Sequence, residues 1–376
     1  MKRICFLPYD EKRGTVFHLV ELLEKLGKQN YFFEIFVVTL IKEQNSGLNE
    51  KLKKLANSYK NFNVFFINSS KDLENLVFLN EIDIVHCNAY RQTNVLLRTK
   101  KKKGYKFKII LTLHSFMNGT WLKTIFSNFV SFFILNKINC IHFLSTNARD
   151  EFLKHNIFIS KKVLDITFPL GCNPNEFINI SEPDTEFKEY FSNRYNKTNF
   201  NIIYLANFSR IKNHMYFIKI IMPLLFNNKI KVWFFGDGKL LKKIIRYVYR
   251  KKLDKYFEFP GRVNRMYIPY VLQFMDLAVS VSKSETFSHS ILEPLFAGIP
   301  VISFNVGTAP NLIIDFLTGF NIKKNDAVNF RNKLGLLIQD KYFTKQLGEN
   351  AKKLVFNYYT WNKIANFYLL IYSKLI

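Results

Sequence analysis

Two glutamates and the loop residues beside them form the part of this sequence best suited to chemistry. Glu285 and Glu293 are separated by seven residues in the segment SKSETFSHSILEPLFAG, 282–298. A carboxylate only accepts hydrogen bonds, so each could hold hydroxyl groups of a ligand. The backbone N–H groups of Thr286, Phe287 and Ser288 come just before a predicted helix, whose N-terminus would attract an anionic group. The segment therefore predicts a site for an anionic group.

The same residues also have simpler interpretations. Ser290 and Glu293 match a capping box, in which the glutamate bonds the backbone of its own helix. Glu285 could be a solvated loop carboxylate. The spacing does not suggest the carboxylate pair of a glycoside hydrolase, whose two members flank a single bond.

The site is positioned by a chain in which short β-rich runs alternate with helical patterns, as in parallel α/β sheets. Strands are predicted at residues 3–7, 33–39, 63–67, 83–86, 108–113, 140–144, 200–206, 231–235, 256–259, 277–281 and 300–304. Helices are predicted between them, including 15–26, and the last helix, 361–375, has no strand after it. Two doubly wound units fit the 376 residues, and turn residues at 169–177 mark the join. Ligands of such sheets bind outside the carboxyl ends of the strands, so two facing units would place a cleft between them.

The chain is strongly basic, with 55 Lys and Arg against 29 Asp and Glu and a net charge of +26. Basic residues are dense at 98–108 and at 239–255. Such clusters can bind nucleic acid, contact an anionic membrane or simply face solvent. No helix-turn-helix, zinc-finger or RNP pattern is present, so we expect no nucleic-acid partner. A predicted amphipathic helix at 121–135 could pack on its own sheet or lie on a membrane surface.

The spacing of the cysteines and the lengths of the apolar runs bear on the cellular compartment of the protein. Cys5, Cys87, Cys140 and Cys172 are far apart and lack zinc-site spacing, so we expect a reducing compartment. No secretory signal and no window of about 20 apolar residues is found, so we expect a cytoplasmic or peripheral protein.

The segment that holds Glu285 and Glu293 resembles the E-x7-E region of glycosyltransferase family 4, and similar segments follow the family's order along nearly the whole chain. They are DIVHCN (83–88), LTLHSF (111–116), FPLGCNPNEF (168–177), IYLANFSRIKNHMYFI (203–218), FFGDG (234–238), FPGRV (259–263) and YYTWNKIANFYLLIY (358–372). The resemblance implies the α/β GT-B fold. It implies an acceptor-side Rossmann-like domain at 1–172, a nucleotide-sugar-binding domain at 173–355, and a helix at 356–376 that crosses back to the first domain.

The resemblance also implies residues that bind the donor diphosphate. Lys212 matches the family's phosphate-binding lysine, and Arg210 is a plausible helper. Many members have arginine where this chain has Asn207, so Arg210 or Arg262 would supply the missing charge. The family has a glycine-rich first loop, in which this chain keeps only Gly14. Gly14 would begin the helix whose N-terminus faces the diphosphate. A solvated lysine and an ordinary turn glycine are the alternatives for Lys212 and Gly14.

The remaining implied roles concern the sugar and the ribose. Glu285 would contact the transferred sugar near the reacting carbon, Glu293 would accept hydrogen bonds from the ribose hydroxyls, and the loop 286–288 would influence sugar choice. His114 matches a first-domain histidine that reaches the sugar or the phosphate; a strand-end histidine bonded to backbone is the alternative. We interpret His86 as structural.

The resemblance implies retaining transfer of a sugar from a nucleotide-sugar, without a metal or other cofactor. We expect a UDP-linked hexose or N-acetylhexosamine, and a glycan or lipid-linked acceptor for a surface polysaccharide. The enzyme would work in the cytoplasm or at the inner face of an anionic membrane. Two alternatives stay open: another GT-B enzyme, such as a nucleotide-sugar epimerase or a transferase to a soluble acceptor, and a basic polyanion-binding module with a vestigial nucleotide site. Only Asn207 and the reduced glycine loop support the polyanion-binding alternative.

Overall fold

The structure of the protein, a computed structural model, describes residues 1–7, 15–29, 33–40, 47–67, 72–73, 75, 81–104, 106–114, 134–155, 160, 162–226 and 229–376. These residues form two compact units. The first unit comprises Met1–Gly171 and Trp361–Ile376, and the second comprises Cys172–Thr360. The predicted divisions lie after residues 172 and 355.

The first unit is built on a seven-stranded parallel sheet with the order β3-β2-β1-β4-β5-β6-β7. Its strands are β1 (Lys2–Leu7), β2 (Phe33–Leu40), β3 (Phe62–Ile67), β4 (Ile84–Cys87), β5 (Lys108–Leu113), β6 (Cys140–Phe143) and β7 (Leu164–Thr167). The central strands are almost continuously apolar and buried, as in β5, because helices cover both faces of a parallel sheet. The strand order reverses between β1 and β4, which is where doubly wound sheets bind ligands.

Five helices lie in the part of the first unit that the structure describes. They are α1 (Thr15–Gln29), α2 (Gly47–Ser58), α3 (Tyr90–Lys103), α4 (Thr146–His155) and, from the end of the chain, α14 (Trp361–Leu375). Helix α14 has a buried stripe formed by Trp361, Ile364, Ala365, Tyr368 and Tyr372. The Trp361 indole N–H donates to Glu21 of α1 at 2.5 Å. The last helix is therefore fastened to the first unit by both apolar and polar contacts.

The second unit is built on a six-stranded parallel sheet with the order β10-β9-β8-β11-β12-β13. Its strands are β8 (Phe200–Leu205), β9 (Ile230–Phe235), β10 (Phe257–Gly261), β11 (Leu277–Ser280), β12 (Val301–Phe304) and β13 (Gly319–Ile322). Its helices are α5 (Asn175–Ile178), α6 (Thr185–Ser192), α7 (His214–Leu225), α8 (Leu241–Arg250), α9 (Ile268–Leu272), α10 (His289–Ala297), α11 (Ala309–Leu312), α12 (Ala327–Gln339) and α13 (Lys341–Tyr358). Separate apolar clusters fill the two faces of the sheet. This strand order is that of a dinucleotide-binding sheet.

The predicted α/β architecture of two Rossmann-like units is confirmed. Each predicted strand is present, with its ends within about two residues of those observed, as expected for element boundaries. Two strands were missed, β7 and β13. Each lies at the edge of its sheet and contains a residue that is rare in strands, Asp165 in one and Gly319 in the other.

Two further features bear on the sequence analysis. Among the described residues, the helices are all too short or too polar to cross a bilayer. Most of the predicted amphipathic segment 121–135 lies outside the described residues; its last two residues, Ile134 and Leu135, are buried. The four cysteines are buried and free.

Candidate functional site

Five loops of the second unit follow neighbouring strands at the carboxyl edge of its sheet. They come after β10, β9, β8, β11 and β12, in the order in which these strands lie side by side. Backbone hydrogen bonds join adjacent loops: the Gly236 N–H donates to the Gly261 carbonyl, Phe208 to Asp237, and Lys283 to Ile211, each at 2.8 Å. Residues that are far apart in the chain are therefore held together at one edge of the sheet.

The loop after β8 holds Lys212 against the loop after β11. The Tyr204 hydroxyl donates to the Lys212 carbonyl, and Tyr204 is also the acceptor for the Val281 N–H at 3.3 Å. The next residue, Asn213, has a left-handed backbone (φ 59°) and caps α7. Since the backbone of Lys212 is fixed on both sides, its side chain has a defined direction.

Lys212 and Glu285 meet in an ion pair. The Lys212 ammonium donates to Glu285 Oε1, and the two side chains are 21% and 11% exposed. The pair lies at the carboxyl ends of β8 and β11, next to the N-terminus of α10. A partly buried pair of this kind keeps a cation and a carboxylate within reach of one ligand. The structure therefore brings together the residues predicted to bind the phosphates and the sugar.

Gly307, in the loop after β12, lies directly against Glu285. Its φ is 56°, and a Cβ at this position would be 2.7 Å from both the Cβ and the carbonyl oxygen of Glu285. Only glycine permits this approach. Gly307 therefore fixes the backbone of Glu285, a role that the sequence analysis missed.

Glu293 pairs with Arg265 instead of capping its own helix. Helix α10 begins at His289, after Ser288, so the capping-box interpretation of Ser290 and Glu293 is wrong. The Arg265 Nε donates to Glu293 Oε1 at 3.0 Å, and Arg265 also lies 3.7 Å from Glu176. Burial raises the pKa of the Glu293 carboxyl, while Arg265 lowers it. Arg265 was not predicted as a site residue, and only its position after FPGRV could have suggested it.

The three predicted loop amides are not equivalent. The Ser288 N–H donates to Thr308 Oγ1 at 3.2 Å in a buried position, so it is already used within the protein. This corrects the prediction that all three amides face a ligand. The Phe287 side chain packs against the apolar cluster on one face of the second unit's sheet. Thr286 and Phe287 are half-buried.

Arg210 and Arg262 lie at the same edge of the sheet but form no tight contacts. Both are exposed, and within the described residues neither takes part in an ion pair. Arg210 belongs to the Lys212 loop, and Arg262 follows Gly261 at the end of β10. Asn207, which stands where the family often has arginine, is exposed as well.

His114 belongs to the first unit, where it follows β5 at the carboxyl edge of that sheet. The Asn88 side-chain amide donates to the Leu7 carbonyl at 2.9 Å, so its oxygen faces His114 and accepts from His114 Nε2 at 2.8 Å. Burial lowers the pKa of His114 to about 4, which keeps the ring neutral at pH 7. Gly14 lies outside the described residues. Across the described parts of the chain, no group of three or more His, Cys, Asp or Glu side chains is arranged to hold a metal ion.

Comparisons with known proteins cover both units. The family model described as Glycosyltransferase Family 4 matches residues 12–163, and the model described as Glycosyl transferases group 1 matches residues 186–354. An uncharacterized glycosyltransferase of Methanocaldococcus jannaschii is 27% identical over 83% of this chain and 81% of that protein. The N,N'-diacetylbacillosaminyl-diphospho-undecaprenol alpha-1,3-N-acetylgalactosaminyltransferase of Campylobacter jejuni is 24% identical over 84% of this chain and 81% of that protein.

A solved structure shares the architecture over its full length. Anabaena HepE in complex with UDP is similar with a TM-score of 0.79 and 15% identity, and the match covers 100% of both chains. At this identity the likeness establishes the shared GT-B fold.

Proposed function

The chain belongs to glycosyltransferase family 4, and from this membership we propose that it transfers a sugar from a UDP-linked donor to a glycan or lipid-linked acceptor. The sugar is a hexose or an N-acetylhexosamine, and the product is part of a surface polysaccharide made at the inner face of the membrane. Two similar proteins support this: HepE was solved with UDP, and the Campylobacter relative is named for transfer to a diphospho-undecaprenol-linked sugar. The observation that carries the proposal is the Lys212–Glu285 pair at the carboxyl edge of the second sheet.

In this proposal Lys212 exchanges its carboxylate partner for the donor diphosphate. The leaving nucleoside diphosphate gains negative charge as the sugar departs, and a positioned ammonium stabilises that charge. Arg210 and Arg262, exposed at the same edge, add positive charge near the diphosphate. We propose that these groups take the place of a metal ion.

Glu285, released from Lys212, contacts the sugar near its anomeric carbon. The acceptor oxygen bonds to that carbon on the face from which the phosphate departs, so the configuration is retained. The carbon–oxygen bond to the diphosphate breaks with its electron pair passing to the phosphate oxygen, which takes the proton of the acceptor hydroxyl. Glu285 acts here by stabilising positive charge on the sugar and not as a covalent nucleophile.

Glu293 and His114 complete the donor contacts in this scheme. Glu293 accepts hydrogen bonds from the ribose hydroxyls, and its bond to Arg265 leaves lone pairs on the carboxylate for that purpose. His114 is neutral and its Nε2 already donates to Asn88, so its Nδ1 accepts a hydrogen bond from a sugar hydroxyl and contributes no charge. Thr286 and Phe287 shape the sugar-binding side of the loop.

Calorimetric titration with UDP, GDP and ADP in the presence of a chelator tests the proposal. We expect micromolar UDP binding, at least about tenfold weaker in Lys212→Ala because a charge-assisted contact to phosphate is lost. Lys219→Ala is the matched control, since Lys219 is an exposed lysine of α7 outside the site. It should bind UDP like the unaltered protein.

Two outcomes would contradict the proposal. Equal, weak binding of all three nucleotides that disappears with salt would mean that the basic surface alone is responsible. Release of an epimerised or free sugar in the absence of any acceptor would identify another GT-B activity.

A further inference from the structure

Helix α8 (Leu241–Arg250) presents a cationic face to solvent. Its exposed positions are Lys242, Lys243, Arg246, Tyr249 and Arg250, which lie on one side of the helix. Exposed lysines precede and follow it at 239, 251, 252 and 255. We call the residues Lys242, Lys243, Arg246 and Arg250 the α8 cationic face.

This face has no anionic partner of its own. Asp254 is the sole acidic residue between 238 and 255, and among the described residues no cation of this stretch takes part in an ion pair. Helix α13 provides the contrast, because its exposed Lys345 and Lys353 lie one turn either side of Glu349.

The local sequence of α8 opposes helix formation. Lys242 and Arg246, like Arg246 and Arg250, are like charges four residues apart, each pair costing about 0.2–0.5 kcal/mol. Lys242 and Lys243 also lie in the first turn, where the helix dipole disfavours cations, and the N-cap has no side-chain hydrogen bond. A stretch that breaks local rules with no internal compensation is typical of a functional surface.

The apolar side of α8 is already used. Ile244 and Val248 are buried in the core of the second unit, and Leu241 and Tyr247 pack against that core. The helix therefore cannot turn its apolar side to another partner. Any contact through the exposed side has to be electrostatic.

We propose that the α8 cationic face binds the anionic surface of a lipid bilayer. A ten-residue helix is about 15 Å long, close to the Debye length of about 10 Å, so its charges act together on a planar anionic surface. Tyr249 is 64% exposed among these cations, and tyrosine is enriched where protein meets lipid headgroups. Tyr249 is the one exposed aromatic residue of this helix, whereas single-stranded nucleic acid stacks on a series of aromatic side chains. The inference extends the proposed function, because it names the surface through which the enzyme reaches a lipid-linked acceptor.

Sedimentation of the full chain with vesicles tests this surface. The vesicles are phosphatidylcholine alone or with about 30% phosphatidylglycerol, at about 0.1 M salt. We expect binding only to the anionic vesicles, and loss of that binding at about 0.5 M salt. In Lys242→Gln/Lys243→Gln/Arg246→Gln/Arg250→Gln, partitioning should fall at least about tenfold, since each charge near the surface contributes up to roughly fivefold and four partly engaged charges multiply to more than tenfold.

The matched control is Lys323→Gln/Lys324→Gln/Lys345→Gln/Lys353→Gln, which removes four exposed charges elsewhere on the second unit. Its partitioning should stay within about threefold of the unaltered protein. Calorimetric binding of UDP should be unchanged in both variants, so failure of the surface proposal is distinguishable from failure of the transferase proposal. Equal loss in both variants, vesicle binding that survives in the α8 variant, or absence of vesicle binding in the unaltered protein would overturn the inference. So would binding of single-stranded RNA that outcompetes the anionic vesicles and is lost in the α8 variant.

Discussion

The two units contain polar networks that are built in opposite ways. In the first unit, the carbonyl of Phe168 accepts from His142 Nε2 at 2.9 Å, so the other ring nitrogen of His142 must be an acceptor. That nitrogen receives the Thr112 hydroxyl at 3.0 Å, and the oxygen of Thr112 in turn accepts from His86 Nε2 at 2.7 Å. The second nitrogen of His86 accepts from the Tyr372 hydroxyl of α14 at 2.9 Å. Every member is neutral and hydrogen-bonded.

In the second unit two charged pairs lie at or near the strand ends. Lys212 pairs with Glu285 and Arg265 with Glu293, and the side chains of these pairs are 10–25% exposed. Charged pairs in such positions lose solvation, which their mutual attraction only partly restores. The neutral network of the first unit avoids this cost. Burial lowers the pKa of His142 to about 3 and that of His86 far below its usual value, so both stay uncharged.

In the proposed function, the neutral network is structural and the charged pairs bind the donor. The neutral network runs from the first sheet to α14 and leaves no member available to a ligand. The charged pairs hold groups whose present partners a diphosphate or a sugar could replace. Burial of a polar residue is therefore not by itself evidence of a binding site. A charged residue whose present partner a ligand could replace is stronger evidence.

The largest expected effect comes from removing the charge of Glu285 while keeping its shape. Glu285→Gln should lower the transfer rate about 10³-fold, because the carboxylate no longer stabilises positive charge on the sugar. UDP affinity should be equal or higher, since Lys212 loses a competing anion. Steady-state rates with a UDP-sugar and calorimetry with UDP measure the two effects.

The control for this change is Glu349→Gln, an exposed glutamate of α13. It should leave both rate and affinity unchanged. Normal turnover in Glu285→Gln would place the reacting carbon elsewhere and remove the functional half of the comparison.

A smaller effect is expected from Gly307→Ala, which leaves the charges intact and displaces the loop of Glu285. The new methyl would collide with Glu285 at 2.7 Å, and a displacement of about 1 Å at a reacting centre can cost about 10²-fold in rate. Gly104→Ala is the matched control, because Gly104 also has a left-handed backbone (φ 71°) but nothing within 4 Å of its missing Cβ. Thermal unfolding should show that both variants lose stability, Gly307→Ala more because of the added collision, and kinetics should show a loss of rate in Gly307→Ala alone. Equal rates would show that Gly307 does not position Glu285.

Most of the fold could be predicted from the sequence, because each central strand is a short apolar run between turn residues. The strand 277–280 is an example: LAVS is buried throughout and followed by a polar loop. Helix α10 ends at Ala297, where Gly298 adopts the left-handed cap that glycine favours (φ 84°). The edge strands β7 and β13 could not be predicted, because Asp165 and Gly319 interrupt their patterns.

The site could be predicted only where a residue's own chemistry or a motif marks it. Lys212 and Glu285 carry charges in recognisable motifs, and the structure brings them together. Arg265 and Gly307 could not be predicted, because their roles depend on contacts with Glu293 and Glu285, which are 28 and 22 residues away in the chain. Such contacts are set by the packing of neighbouring loops, which local periodicity does not describe.

The smallest expected effect tests the neutral network. Tyr372→Phe removes one hydroxyl and leaves His86 Nδ1 buried without a donor, which should cost about 1–3 kcal/mol of unfolding free energy. Tyr358→Phe is the control, since Tyr358 is 65% exposed and its loss should stay within about 0.5 kcal/mol. Hydrogen exchange should show the loss of protection in β4 and α14, with calorimetric UDP binding unchanged, because the network supports the first unit and not the charged pairs of the second. Unchanged protection in these elements would mean that α14 is held by its apolar stripe and the Trp361–Glu21 hydrogen bond, without a measurable contribution from the neutral network.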